Sequence, residues 1–275
     1  MAEQRTIPEI RKKELNRIAD YVSSMFSDGN VTLLEEIVHF ERLNLYIDHY
    51  EDYFDGMLVY GDYEFHIHIN RDRGNDLHTN RGRFSLSHEL AHYYINEHRI
   101  GLQSGLLEPH TSFTDGKNKN DPIELEADYF AGCLLMPFKK LYYFDVVKKF
   151  SLEKIRAISE SFKVSLLAAA IRYCQTCSHE LMIVVSRNNV VEWYDRNSHF
   201  PEWPFKFKVN ESVPPTTVAG EFFTKPESKF TSVEEIEPND WFYPFANDYR
   251  ANRKMNEQCF YSDGFGYVIS LLWFK

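Results

Sequence analysis

His88 and His92 are the residues whose spacing in this chain most directly suggests chemistry; with Glu89, Leu90 and Ala91 they form an H-E-x-x-H pattern. Residues four apart on a helix sit one turn apart on one face. Both imidazoles can then reach a single ion at the ~2.0–2.1 Å of a Zn–N bond. Glu89 is rotated about 100° from His88 on the same helix, so it lies beside such an ion rather than on it. From there it can take a proton from a water whose pKa the ion has lowered toward about 7.

A catalytic zinc needs a third protein ligand and an open fourth position. Glu124 and Asp128 are four apart and share a helical face, with the small Ala127 beside them. Glu124 is the expected ligand. Asp128 is expected to accept a hydrogen bond from the far nitrogen of a ligating histidine, which fixes its tautomer and orientation. Two alternatives stay open. Asp121-Pro122-Ile123-Glu124 also fits a capping box, and Glu126 is a competing ligand whose direction, about 160° from Asp128, points it to solvent.

These residues need elements to hold them. Residues 6–26 read as an amphipathic helix, and 31–45 as a helix or mixed structure. Met57–Tyr60 and Tyr63–Ile69 read as a hairpin turning at Gly61-Asp62. Arg81 to about His98 reads as one largely buried helix carrying the H-E-x-x-H pattern. A long polar stretch, Gln103–Asn120, precedes a second helix that opens at Asp121-Pro122 and ends at Pro137. Ser151–Ser161 and Ser165–Tyr173 read as short helices, each with serine at its N-cap. Beyond residue 178 the pattern turns to strands: Leu181–Val185 and Val190–Tyr194 around Asn188-Asn189, and Cys259–Phe274 around Asp263-Gly264. The expected fold is therefore α+β. A mostly helical domain with a small sheet spans 1–177, and a strand-rich domain spans 178–275.

The chain has 275 residues, 43% of them hydrophobic, and a net charge of −10. That composition supports a sizeable core and disfavours a polyanion binder. The apolar runs are too short to cross a bilayer, and the first sixteen residues are charged and lack an apolar segment. A cytoplasmic protein without membrane or direct nucleic-acid contacts is expected.

Arg83-Phe84-Ser85-Leu86-Ser87-His88-Glu89-Leu90-Ala91-His92, followed by Glu124-Leu125-Glu126-Ala127-Asp128-Tyr129-Phe130-Ala131 and Leu134-Leu135-Met136-Pro137, resembles the ImmA/IrrE family of zinc metallopeptidases. The resemblance covers roughly residues 50–175. It implies a zincin-like, gluzincin-type peptidase with one Zn2+ per chain. His88, His92 and Glu124 stand at the ligand positions and Glu89 at the catalytic base. Asp128 stands where the family often has Asn or Asp. The resemblance also implies a helix-turn-helix, DNA-binding repressor as protein substrate. A zinc-containing regulator that binds a repressor or a small ligand without hydrolysis is the alternative. Residues 178–275 are expected to regulate the reaction or dock the substrate.

Other signals carry less. Cys174-Gln175-Thr176-Cys177 with His179 lacks the paired knuckles of structural zinc and reads as reduced thiols. His66 and His68 share a strand face, which is either exposed or lines a groove where a peptide adds as a strand. The helix pair at 151–173 resembles a helix-turn-helix. Its second helix, Leu166–Ile171, is built for burial, with only Arg172 basic. Tyr93, Tyr94, His98, His110 and Tyr129 are equal candidates for an oxyanion donor.

Overall fold

The computed structural model describes residues 7–109, 111–112, 121–146, 149–224, 229–262 and 266–275. The fold is α+β. Backbone packing divides the chain into two compact units, Met1–Tyr143 with Ala157–Ala168, and Phe144–Arg156 with Ala169–Lys275.

The first unit opens with α1 (Glu9–Met25), which buries Leu15, Ala19 and Val22. A small hairpin, β1 (Ser27–Asp28) and β2 (Val31–Thr32), turns at Gly29, whose φ of +56° suits glycine. Then come α2 (Leu34–Phe40), β3 (Asn44–Asp48), β4 (Gly56–Gly61) and β5 (Glu64–Asn70). The region 31–45 is thus strand, helix and strand in succession. After α3 (Asn80–Tyr94) and α4 (Asn96–Ser104) come β6 (Thr111–Ser112), α5 (Pro122–Leu135) and α6 (Phe138–Asp145). The sheet runs β3-β5-β4-β6; only the β3–β5 pair is parallel. Phe65, Ile67 and Ile69 alternate along β5 and are buried on the side of α3, where Phe65 meets Tyr93 edge to face.

Two sequence expectations shift here. The helix expected over 81–98 is two helices, because Ile95 is extended (φ −74°, ψ 110°) and redirects the chain. The β4–β5 turn sits at Asp62-Tyr63, both with positive φ, and not at Gly61-Asp62. Strand pairing runs through Gly61 opposite Glu64 and leaves those two residues to turn.

α7 (Leu152–Phe162) and α8 (Leu166–Thr176) each contribute residues to both units. Ser151 and Ser165 accept hydrogen bonds from the amides of Lys154 and Ala168, as expected for N-caps. Arg172 is 1% exposed and so does not form a basic surface on α8.

The second unit holds β7 (Leu181–Arg187), β8 (Val190–Arg196), α9 (Val218–Thr224), β9 (Glu234–Ile236), α10 (Pro238–Trp241), β10 (Met255–Ser262) and β11 (Tyr267–Phe274). Its antiparallel sheet has the order β8-β7-β11-β10-β9. Asn188 and Asn189, both at positive φ, make the expected two-residue turn. The Asp263-Gly264 turn lies outside the described residues. Met182, Val184, Leu272, Phe274, Met255 and Cys259 alternate on one sheet face and join Phe200, Trp203, Phe207, Trp241 and Phe242 in an aromatic core. Among the described residues no helix is long and apolar enough to cross a membrane.

Glu257 interrupts that apolar face and is fully buried. Its carboxylate accepts from the amides of Val218 and Ala219 at 3.0 and 2.9 Å and from Trp241 Nε1 at 2.9 Å. These bonds tie the start of α9 and Trp241 to β10. Burial nonetheless pushes its carboxyl up to about 7, above the usual range. A carboxyl with a raised pKa stabilises the fold fully below its unfolded value and loses that contribution as pH rises through about 7. Unfolding followed by the four tryptophans, 193, 203, 241 and 273, all in this unit, should show stability falling by about 3 kcal/mol between pH 4.5 and 8 relative to Glu257→Gln. A difference independent of pH would show that Glu257 does not titrate in that range.

Candidate metal centre

α3 begins at Thr79, whose hydroxyl caps the helix by accepting from the Gly82 amide at 3.0 Å. From Ser85 to His92 every residue is buried, so the helix has no solvent face over that stretch. The sheet packs on it through β4 and β5, and α5 packs on it as well. Ala127 and Ala131 on α5 are completely buried, and side chains that small allow two helices to approach closely. The expected helical face is realised. Asp121 caps α5 through the Ile123 amide, so Glu124 is not drawn back into a capping box.

Glu124 instead meets the two histidines. Its Oε2 lies 3.2 Å from His88 Nε2 and its Oε1 3.4 Å from His92 Nε2, and the two Nε2 atoms are 3.2 Å apart. One ligand atom from each residue lies within 4.8 Å of the others. Two ligand atoms about 2.05 Å from a tetrahedral ion are about 3.3 Å apart, so this donor set fits zinc without rearrangement. Two further observations support a cation here. Glu124 Oε1 is buried with no hydrogen-bond partner among the described residues. And His88 Nδ1 donates to Asp128 Oδ1 at 2.9 Å, which leaves its Nε2 lone pair facing the cluster.

The electrostatics agree. Burial opposes protonation of His88, but hydrogen bonds to Asp128 and Glu124 outweigh it and hold its pKa above the ordinary value. Burial also opposes ionisation of Glu124, and the closeness of His88 and His92 overcomes this and holds the carboxyl below the usual range. The site favours positive charge beside an ionised carboxylate.

Glu89 lies next to this cluster with no exposed surface. Its Oε1 accepts from Ser112 Oγ at 2.7 Å, whereas Oε2 is buried with no hydrogen-bond partner among the described residues. Burial raises its pKa to about 7, against the lowering effect of the charge on His88 and the bond from Ser112. β4 runs so close that a Cβ on Gly56 would sit 2.5 Å from Glu89 Oε1. Ser112 pairs with Gly56 across β4–β6, and its hydroxyl also lies 3.1 Å from the Gly56 amide. Gly56 and Ser112 escaped the sequence reading, since neither is near Glu89 in the chain. A glycine opening a strand was the one available signal.

The remaining candidates separate. Glu126 is not turned to solvent; Arg11 on α1 donates to its Oε2 at 2.6 and 2.9 Å. Tyr93 and Tyr94 both donate to Glu41, and Tyr129 accepts from Asn16. His98 is buried with its ring 5.1 Å from that of His92; burial, then the charges on His92 and Arg11, lower its pKa to about 3. His110 lies outside the described residues. Both edges of β5 are paired, so no peptide can add beside His66 and His68, and Tyr46 stacks on both rings. Cys174 and Cys177 are buried thiols, and burial pushes Cys177 up to about 12.

Residues 66–173 match Peptidase_M78, described as the IrrE N-terminal-like domain. The match spans 108 of the chain's 275 residues. It contains His88, Glu89, His92, Glu124 and Asp128, while Gly56 on the neighbouring strand precedes it. No curated protein matches the chain. Among solved structures, a Mycobacterium tuberculosis transcriptional regulator aligns over 95% of this chain and 76% of its own, with a TM-score of 0.61 at 14% identity. That likeness is one of fold.

In this IrrE-like segment, Glu124→Ala should abolish retention of zinc through dialysis, and Glu126→Ala should leave it intact. Asp128→Ala should weaken zinc affinity about 10–100-fold. Equal zinc content in the Glu124 and Glu126 variants, read by elemental analysis, would remove Glu124 from the ligand set.

Proposed function

We propose that this chain is a zinc-dependent endopeptidase that cuts a DNA-binding repressor. The observation that carries the reading is the position of Glu89: a buried carboxylate with one unpaired oxygen, beside a three-ligand cluster of which it is not a member. A purely structural metal site has no use for such a group.

His88, His92 and Glu124 would hold the zinc, one per chain, and Asp128 would keep the His88 ring oriented. When bound, zinc supplies Lewis acidity toward a carbonyl oxygen and lowers the pKa of water. Glu89 takes a proton from the attacking water and passes it to the leaving amine. Ser112 and the β4 backbone fix Oε1 and leave Oε2 for the proton.

The repressor substrate is supported by the family resemblance. It suits a chain of net charge −10, which attracts a basic partner, in the cytoplasm. We assign residues 178–275, as a domain distinct from 1–177, the task of restraining the protease by docking the substrate or sensing a ligand. One observation favours a second reading, a zinc-containing regulator that grips a repressor without cutting it: His88, Glu89, His92 and Glu124 are all 5% exposed or less.

One experiment separates the two. Zinc-loaded protein is incubated with repressors from its own genetic neighbourhood, and products are read by intact mass. Glu89→Gln should retain its zinc and lose cleavage. Wild-type cleavage by that variant would overturn the assigned base. Tight repressor binding with no cleavage by either protein would establish the regulator instead.

A further inference from the structure

A cavity of about 440 Å3 opens between the tip of the β4–β5 hairpin and α4, and none of the three clustered ligand residues lines it. Its rim carries backbone conformations that its side chains do not favour. Arg42 follows the cap of α2 at φ +56°, a position that usually belongs to glycine. Tyr63, at φ +65°, occupies the second place of a two-residue turn, where Asn-Gly is preferred. Arginine and tyrosine are held there against local preference, and both side chains line the cavity.

The polar groups lining it are unevenly spent. Glu41 already accepts from Tyr93 and Tyr94, each at 2.9 Å, and Glu64 accepts from Asn44 at 2.8 Å. Arg99 gives one N–H to Asn96 and lies 5.5 Å over the Tyr93 ring. Among the described residues the Arg42 guanidinium and the hydroxyls of Tyr60 and Tyr63 have no hydrogen bond or ion pair. Beside these two carboxylates and the Gln103 amide, the cavity offers donors with capacity to spare, among them two guanidinium forks whose geometry matches a carboxylate.

The cavity is also placed to meet a strand. The outer edge of β4 pairs with β6 only at Gly56 and Met57; Leu58–Gly61 pair there with no strand among the described residues. Gly56 touches Glu89, and Tyr60, four residues on, lines the cavity. That separation is about 14 Å along an extended backbone.

We propose that this cavity is a selectivity subsite that takes an acidic side chain, Asp or Glu, of an extended peptide lying along the open edge of β4. The inference rests on the peptidase reading for the place of the cut, about four residues away, but not for binding. Glu89→Gln protein with zinc bound is titrated, by fluorescence anisotropy, with ten-residue peptides of Ser, Thr and Ala in which one Glu or one Lys is moved through every position. At one position Glu should bind at least about tenfold tighter than Lys. Arg42→Glu with Arg99→Glu should invert that preference. Arg42→Gly should reduce it while leaving the melting temperature unchanged or raised, because glycine suits the positive φ. Wild-type protein digesting the same peptides should prefer Glu at a fixed distance from the cut. Equal binding of Glu and Lys peptides at every position, or a preference that survives both arginine substitutions, overturns the subsite. A preference that depends on the arginines, with no digestion by wild-type protein, upholds the subsite and overturns the peptidase reading.

Discussion

The approach of β4 to Glu89 sets the geometry on which the site depends. A carboxylate with no exposed surface must be held by groups that already surround it, because water cannot solvate it. A Cβ at residue 56 would sit 2.5 Å from Glu89 Oε1 and displace that carboxylate, so glycine lets the strand come within reach without moving it. Asp55, one residue earlier, fixes where the strand begins. Its Oδ1 accepts from Asn75 at 2.9 Å, and Asn75 in turn accepts from Ser85 on α3 at 2.8 Å. Arg73 and Arg81 donate to the same carboxylate oxygen. Strand and helix are thus locked together by a buried polar network rather than by apolar contact alone.

That network explains how α3 carries Ser85, Ser87, His88, Glu89 and His92 in the interior of the first unit. A helix buried on all sides is ordinarily apolar. Here most of the polar residues are matched from outside: Asn75 meets Ser85, β4 and β6 face Glu89, and α5 brings Glu124 and Asp128 to the histidines, whereas Ser87 Oγ has no hydrogen-bond partner among the described residues. Local preference yields to the site at these residues, which is where a functional sequence departs from the rules of packing.

Glu89 and Glu257 show what separates a structural buried carboxylate from a reactive one. Burial raises both to about 7. Glu257 spends both oxygens on fixed donors, the amides that open α9 and the Trp241 indole. Its energy goes into holding the second unit together. Glu89 has a donor on one oxygen only, and the other stays available beside a cluster that favours positive charge.

The sequence by itself determined what is local. The H-E-x-x-H spacing places two imidazoles on one face of any helix, and Glu124 with Asp128 on one face of the next, whatever surrounds them. Serine caps at 151 and 165 and the Asn188-Asn189 turn were legible for the same reason, since each depends on residues within a few positions. Tertiary structure decided the rest. The break at Ile95, which returns His98 toward His92, falls inside an unbroken helical pattern. The turn at Asp62-Tyr63 follows from register, because Gly61 pairs with Glu64 and is consumed by the ladder. Glu126 was expected in solvent until Arg11, more than a hundred residues earlier in the chain, supplied its partner. Gly56, Ser112 and Glu89 converge only when a strand pairing and a helix-on-sheet packing are both in place. Side-chain periodicity records which face of an element is buried, but not which distant backbone will cover it.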